Sequence, residues 1–437
     1  MERSDIHKTI QYLKRNGLGA TVQAVFERLE ENGEEYVFAS PDPATLAKQR
    51  EKTWENPHLF SILVPAYETE PAFLISLLES VADQTYPHWE LILADAGSSG
   101  SVKETLDTFL ASHDSVTEKI FYVHLPSNDG ISMNTNAAAE YAKGDYICLL
   151  DHDDLLTPDA LYENAVAIEE GDYDLLYSDE DKWDGTKYLQ PNFKQNFNYD
   201  LILSNNYICH FLVMKSRLFK SLRERKEYDG AQDYDLILRA IASLEDLYGK
   251  HYEEKIYHID QVLYHWRCYS GSTAENPASK SYAYEAGKRA VQDYLDEKKI
   301  SAKVVDTAHL GFYRVEYPGE IFDHRSDVGV IGGNLYEGGK VVSGVLQADG
   351  TCPDAGKKKG FSGRNNIGSV CRNVDYVDLN GALVKPELAE ALDIDVFECS
   401  NRPYRTEDSL RLCERIRELG FRIVWDPRFS KKNMKMK

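Results

Sequence analysis

The chain is poor in several features that would each announce a function. Its 50 Lys and Arg are outnumbered by 72 Asp and Glu, for a formal charge of -22. A surface of that sign excludes nucleic acid as a partner, because a phosphate backbone has to be met by cations. No apolar run approaches the roughly 20 residues that cross a bilayer. The opening MERSDIHKTI lacks the apolar core of a signal peptide. The seven Cys form no CxxC pair and no even-numbered framework. That excludes a disulfide scaffold and points to free thiols in a reducing cytoplasm. Neither GxGxxG nor GxxxxGKS/T occurs, so no dinucleotide or P-loop phosphate site is signalled.

What remains is a globular composition, 42% apolar and 11% aromatic, over 437 residues. That length predicts two or three domains. Residues 1–56 read as an N-terminal helical segment, with Ile6, Ile10, Leu13 and Leu18, then Val22, Val25, Phe26 and Leu29, at helical spacing. Residues 57–305 alternate strand and helix. Strands are predicted at 60–67, 89–95, 120–123 and 146–150, with helices between them. Short β-α-β connections predict a parallel, right-handed, doubly wound sheet.

The strand Tyr146–Leu150 runs into Asp151, His152, Asp153 and Asp154. Thr157 suits a helix N-cap there and Pro158 the first helical position. The carboxylates therefore fall at the carboxyl end of a central strand, where ligands of open α/β sheets bind. Crowded oxygen ligands favour Mg²⁺ or Mn²⁺. An acidic turn that merely caps the next helix is the competing reading. Asp95 ends a neighbouring strand, where it could accept hydrogen bonds from a base or ribose. Pro65, Ala66 and Tyr67 end another and offer a wall for a flat ring. Later strands are expected at 173–181 and 205–214, with Asp179, Glu180 and Asp181 either shaping an acceptor site or forming an exposed loop. Asp233 opens a helix that starts near 232. A polar loop at Ser270–Thr273 and a helix at about 278–297 close the region.

Together these residues resemble glycosyltransferase family 2, enzymes of the GT-A fold that use nucleotide sugars. The matching pieces, in family order over about 58–300, are Val64-Pro65-Ala66-Tyr67, Ser80–Tyr86, Asp95-Ala96-Gly97-Ser98, Asn128–Ser132, Gly144-Asp145-Tyr146, Asp151-His152-Asp153, Gln232-Asp233 and His265-Trp266-Arg267. Ser178–Asp181 and the His265 motif look like the bacterial branch that builds cell-surface polysaccharides, rhamnosyltransferases included. Three positions depart from the family pattern: Ala96, Glu68 and Thr135, the last where many members carry Arg.

The resemblance implies an inverting single displacement with Asp233 as base. Asp235 is the neighbouring alternative. It assigns Pro65, Ala66, Tyr67, Glu68, Asp95, Asn134, Asp151, His152, His265 and Arg267 to the nucleotide sugar, of UDP or dTDP type. It assigns Asp151, Asp153 and His265 to Mn²⁺ or Mg²⁺. The acceptor is then a hydroxyl of a growing surface polysaccharide or a lipid-linked glycan. His210 reads as a satisfied core histidine and Trp266 as packing.

Residues 306–437 look like the acceptor-side half of a second, degenerate GT-A-like domain, with its own Glu407-Asp408 but no nucleotide half. The basic tail Lys431–Lys437 is either frayed or touches anionic lipid. The expected location is the cytoplasm, with the inner face of the membrane and a homodimer left open. Rival readings are a nucleotidyltransferase and a non-catalytic nucleotide- or glycan-binding scaffold.

Overall fold

The computed structural model describes residues 3–31, 36–269, 281–392 and 404–429. The Ser270–Thr273 loop and the Lys431–Lys437 tail lie outside the described residues. The chain divides into two compact units. The larger comprises residues 35–197 and 207–291, the second residues 1–34, 198–206 and 292–437. The division at 56 and 305 read from sequence stands beside this as a proposal.

The chain opens with α1 (Arg3–Glu31), kinked at Gly17, where φ is 79°. In the larger unit α2 (Pro43–Glu51) leads to β1 (Phe60–Ala66), α3 (Pro71–Ala82), β2 (Trp89–Asp95), α4 (Ser101–Leu110), β3 (Ile120–His124), α5 (Ile131–Ala139) and β4 (Tyr146–Leu149). Then come β5 (Leu155–Leu156), α6 (Ala160–Glu170), β6 (Leu175–Trp183) and β7 (Tyr188–Asn192). The short α7 (Tyr199–Ile202) belongs to the second unit. Beyond it follow β8 (Leu212–Lys215), α8 (Ser216–Leu222), α9 (Gln232–Tyr248), β9 (Ile256–Arg267) and α10 (Ser281–Glu297).

The sheet order is β3-β2-β1-β4-β8-β6-β9-β5, with β7 on β6. The first four strands are parallel, and β6 is parallel to β9. β8 runs against both its neighbours. This is the mostly parallel α/β sheet expected of a GT-A fold. Its strands are apolar on both faces because helices cover both. Leu74, Leu77, Leu78 and Val81 of α3 are fully buried at i, i+3, i+4 and i+7, each worth roughly 1.5–3 kcal/mol. Gly144 is required by close approach: a Cβ there would lie 2.5 Å from the Leu59 carbonyl and 2.6 Å from Ser61 Oγ.

Three expectations are corrected. Leu155 and Leu156 pair with β9, so α6 begins at Ala160 and Thr157 donates its hydroxyl to Asp159 instead of capping the helix at 158. Residues 205–211 are not strand; only Leu212–Lys215 is. Asp179, Glu180 and Asp181 are not an exposed loop but buried residues within β6.

The second unit repeats part of the first. Val328–Gly332 pairs antiparallel with Ala382–Val384 and parallel with Arg422–Trp425, as β6 does with β8 and β9. The register agrees: Tyr177 faces Leu212 and His258, and Gly332 faces Ala382 and Trp425. Two residues past each lies a matching hydrogen bond. His258 Nε2 meets Asp179 Oδ1 at 2.8 Å, and Trp425 Nε1 donates to Asn334 Oδ1 at 3.3 Å.

Candidate active site

The acidic loop after β4 is pinned to the end of β9. Asp154 is 0% exposed. Its Oδ2 accepts the Tyr264 hydroxyl at 2.5 Å and its Oδ1 the Arg267 amide at 2.7 Å. Burial, then the charges of Asp153 and Asp151, push its carboxyl well above the usual range. The third acid of the run is therefore structural, and it presents the first two. Arg267 Nε donates to the Asp153 carbonyl at 2.5 Å. The guanidinium sits 4.5 Å from the Phe73 ring centroid and 4.4 Å from that of Trp183. Its Nη2 is buried with no hydrogen-bond partner among the described residues. A buried cation with an unused donor beside Asp153 is a place for an anion.

Asp151 is partly exposed. Burial raises its pKa first; the His210 charge opposes this, Asp153 adds to it, His152 opposes it, and Asp233 adds to it. Both Asp233 and His210 thus act on the loop from other elements. His210 lies in the 207–211 turn, not in the apolar core. Its ring stacks on Tyr264 at 4.8 Å, and its backbone N–H and Nδ1 meet Glu180 Oε2 at 2.6 and 3.2 Å. Lys194 Nζ holds the same turn, donating to the carbonyls of Ile208, at 3.0 Å, and His210. Burial alone would lower the His210 pKa, but the hydrogen bond and charge of Glu180, with Asp151 and Asp154 behind it, lift it to about 9. Burial would raise Glu180, but Lys194 and His210 bring it down to about 2.

Asp233 stands in the first turn of α9, whose N-cap is Ala231 and which has no side-chain cap, so capping does not explain the carboxylate. The Cys209 thiol hydrogen-bonds to it. Asp235, one turn-step on, is 1% exposed and taken by Arg225 and Arg239. It holds the α8–α9 loop together and is not a second base. The same loop brings in Glu224, 5% exposed, on which burial and the charges of Asp233 and Asp151 act to push the carboxyl well up. Sequence reasoning missed Glu224, which stands in no motif, and misread His210 because its neighbours are apolar.

The other predicted residues divide. Tyr67 is 51% exposed at the end of β1. Pro65 is partly buried, Ala66 is buried, and the Ala66 carbonyl accepts the Ala96 amide at 2.9 Å. Glu68 Oε1 accepts the amides of Ser98, at 2.8 Å, and Ser99, at 3.2 Å, joining the two loops. Asp95 is 1% exposed, with one oxygen on the Gly97 amide and the other on the Tyr122 hydroxyl. It fixes its own turn, and its assignment to the nucleotide stands as a proposal. Asn134, buried, donates to Asn128 Oδ1 at 3.0 Å and supports a turn as well. His152 Nδ1 meets Thr69 Oγ1 at 3.1 Å.

His265 is the clearest correction. Its Nδ1 is 2.6 Å from Asp181 Oδ1, and Phe38 and Tyr188 enclose the ring. Tyr36 donates to the other Asp181 oxygen at 2.8 Å. The His265 Nδ1 is committed to this buried box. Among the described residues no three His, Cys, Asp or Glu side chains are gathered to hold a cation. The set Asp151, Asp153 and His265 is therefore not formed. Asp151 and Asp153 alone still fit a hard cation of the kind that takes one or two carboxylates and completes its shell with substrate phosphate oxygens. A cavity of about 670 Å³, lined by His58, Asp145, Lys215 and Arg217 among others, opens at the opposite end of β4 and takes no part in this arrangement.

Residues 61–227 match the family described as "Glycosyl transferase family 2". The chain is 34% identical over 358 residues to an uncharacterized protein, y4gI, of Sinorhizobium fredii, covering 77% of this chain and 38% of the relative. It is 32% identical over 285 residues to the O-antigen biosynthesis protein RfbC of Myxococcus xanthus, covering 64% of this chain and 21% of the relative. It thus spans well under half the length of either. Among solved structures, S. aureus TarS in complex with UDP-GlcNAc is 19% identical with a TM-score of 0.42, over 54% of this chain and 66% of that one.

Proposed function

Because residues 61–227 are a glycosyl transferase family 2 domain, we propose that the chain is an inverting glycosyltransferase. It moves a sugar from a nucleoside diphosphate of UDP or dTDP type to a hydroxyl of a growing cell-surface polysaccharide or lipid-linked glycan. The observation that carries this reading is that Asp233, at the start of α9, stands close enough to Asp151, beyond β4, for its charge to act on that carboxyl. A transferase of this kind needs positive charge at the leaving diphosphate, which a cation on Asp151 and Asp153 would supply, and a carboxylate for the incoming alcohol.

In the reaction Asp233 takes the acceptor hydroxyl proton as that oxygen bonds to C1 of the sugar. The C1–O bond to phosphate breaks on the opposite face, and its electron pair leaves with the diphosphate. The unused Arg267 nitrogen donates to that diphosphate as its negative charge grows. A Mn²⁺ or Mg²⁺ ion, when bound, would be held by Asp151 and Asp153 and would offset the same charge. Tyr67 and Glu68 border the nucleotide end. No described helix is long and apolar enough to cross a membrane. The cytoplasm, at the inner face of the membrane, is where this reading has the enzyme meet a lipid-linked acceptor.

Thermal unfolding with UDP, dTDP and their sugars, with and without Mn²⁺, tests the proposal. A ligand at a hundred times its Kd adds about 2.7 kcal/mol, a rise of a few degrees in Tm. Asp153→Ala should remove the Mn²⁺-dependent part of that rise. No shift with any nucleotide at millimolar concentration would overturn the reading.

A further inference from the structure

Glu224 is held more firmly than a loop residue on a surface needs to be. Asn136 clamps its peptide from both sides: Asn136 Nδ2 donates to the Glu224 carbonyl at 2.8 Å, and the Glu224 amide donates to Asn136 Oδ1 at 2.9 Å. The next residue, Arg225, is forked onto Asp235. Arg239 ties the preceding carbonyls of Leu222, at 2.8 Å, and Arg223, at 2.6 Å. The backbone is therefore set, and the side chain is aimed inward, 5% exposed. Its Oε2 is buried with no hydrogen-bond partner among the described residues. Buried acceptors are almost always satisfied, and an unsatisfied one calls for an explanation. The charges of Asp233 and Asp151 both act on this carboxyl, and a sugar held between those two carboxylates would be within reach of their field.

We propose that Glu224 is a specificity-determining residue whose Oε2 accepts a hydrogen bond from a hydroxyl of the sugar being transferred. The inference rests on the glycosyl-transfer reading above. The sugar ring is chosen over the nucleotide because Arg267 and the β1 end serve the diphosphate and base. It is chosen over the acceptor because Asp151, on the donor side, acts on Glu224 as well as Asp233. A site built around a hydroxyl rejects the analogue that lacks it far better than an apolar pocket can.

The test compares binding of each free nucleoside diphosphate with binding of its sugars, by calorimetry on the full chain. Wild type should bind its donor more tightly than the bare diphosphate. Glu224→Leu should lose about tenfold or more of that increment while holding the bare diphosphate within about twofold. Glu224→Gln, which keeps an acceptor oxygen, should retain most of it. A Leu variant that keeps the increment overturns the inference. If the Leu variant does not fold, deoxy-sugar donors are titrated against wild type and Glu224→Asp, whose shorter side chain withdraws the oxygen. One missing hydroxyl should then be penalised in wild type and much less in Glu224→Asp; equal penalties in the two overturn it. Failure of wild type to bind any nucleoside diphosphate would instead defeat the transfer reading itself, and this inference with it.

Discussion

Two of the acids near Asp233 are held by structural partners. Asp154 is tied to Tyr264 and Arg267, and Asp235 to two arginines. Asp233→Asn should lower transfer by about 10²–10⁴-fold, the usual worth of a general base, and leave nucleotide binding intact in calorimetry. Undiminished turnover would remove it as the base. His210 makes a prediction of a different kind. Its pKa rises from 6.5 to about 9, so its stabilisation is complete below about pH 6.5 and is lost as pH rises through 9. Glu180 falls from 4.5 to about 2, so its stabilisation is complete above about pH 4.5 and is lost as pH falls through 2. Between pH 6.5 and 9 wild type should lose roughly 2–3 kcal/mol that His210→Gln never had. Denaturant titrations at the two pH values measure that difference; parallel losses in both proteins would mean His210 is not charged there. The acidic loop and Asp233 were legible in the sequence because short motifs carry them. Glu224 and the true setting of His210 were not, since both depend on contacts across 30 to 90 residues that no local pattern encodes.

Among elements, β6 and β9 do the most to build the site. Successive residues of a strand point to opposite faces, so three consecutive acids on β6 find three separate partners. Asp179 goes to His258, Glu180 to Lys194 and His210, and Asp181 to His265 and Tyr36. The sequence places the run at the end of a strand but leaves its setting open, because the partners are far along the chain. The succession of β1 to β4 and their parallel pairing were readable because each strand is a short apolar run closed by Pro, Gly or Asp. The pairing of Leu155 with His265 was not, since two residues have no periodicity. Asp154→Ala should cost about 2–4 kcal/mol, as it strands the buried Tyr264 hydroxyl and the Arg267 amide together. It should also abolish any Mn²⁺-dependent nucleotide binding, although Asp154 contacts neither ligand in the proposed mechanism. An unfolding curve like that of wild type would show that the loop holds its shape without it.

At the scale of the molecule, the second unit repeats the strand pairing of β6, β8 and β9, and we propose that it does so without their chemistry. Asp408, in the first turn of the helix Thr406–Glu418, is the counterpart of Asp233. Its carboxylate is met by Arg405 and Arg411, both largely exposed. Asp408→Asn should therefore leave transfer within about twofold, the scale of a surface substitution, in the assay that Asp233→Asn abolishes. A large loss would reveal a second working site. The chain also departs from the larger unit at Phe197 and rejoins it at Tyr207. In between, Asp200 is gripped by the buried Arg325 at 3.0 Å, and Asn198 exchanges hydrogen bonds with the Asn373 backbone. Shuffling of catalytic halves between relatives is constrained by that detour. A transplanted first half would arrive carrying a nine-residue graft from 198 to 206, and its new host would have to supply an arginine and an asparagine where this chain keeps them.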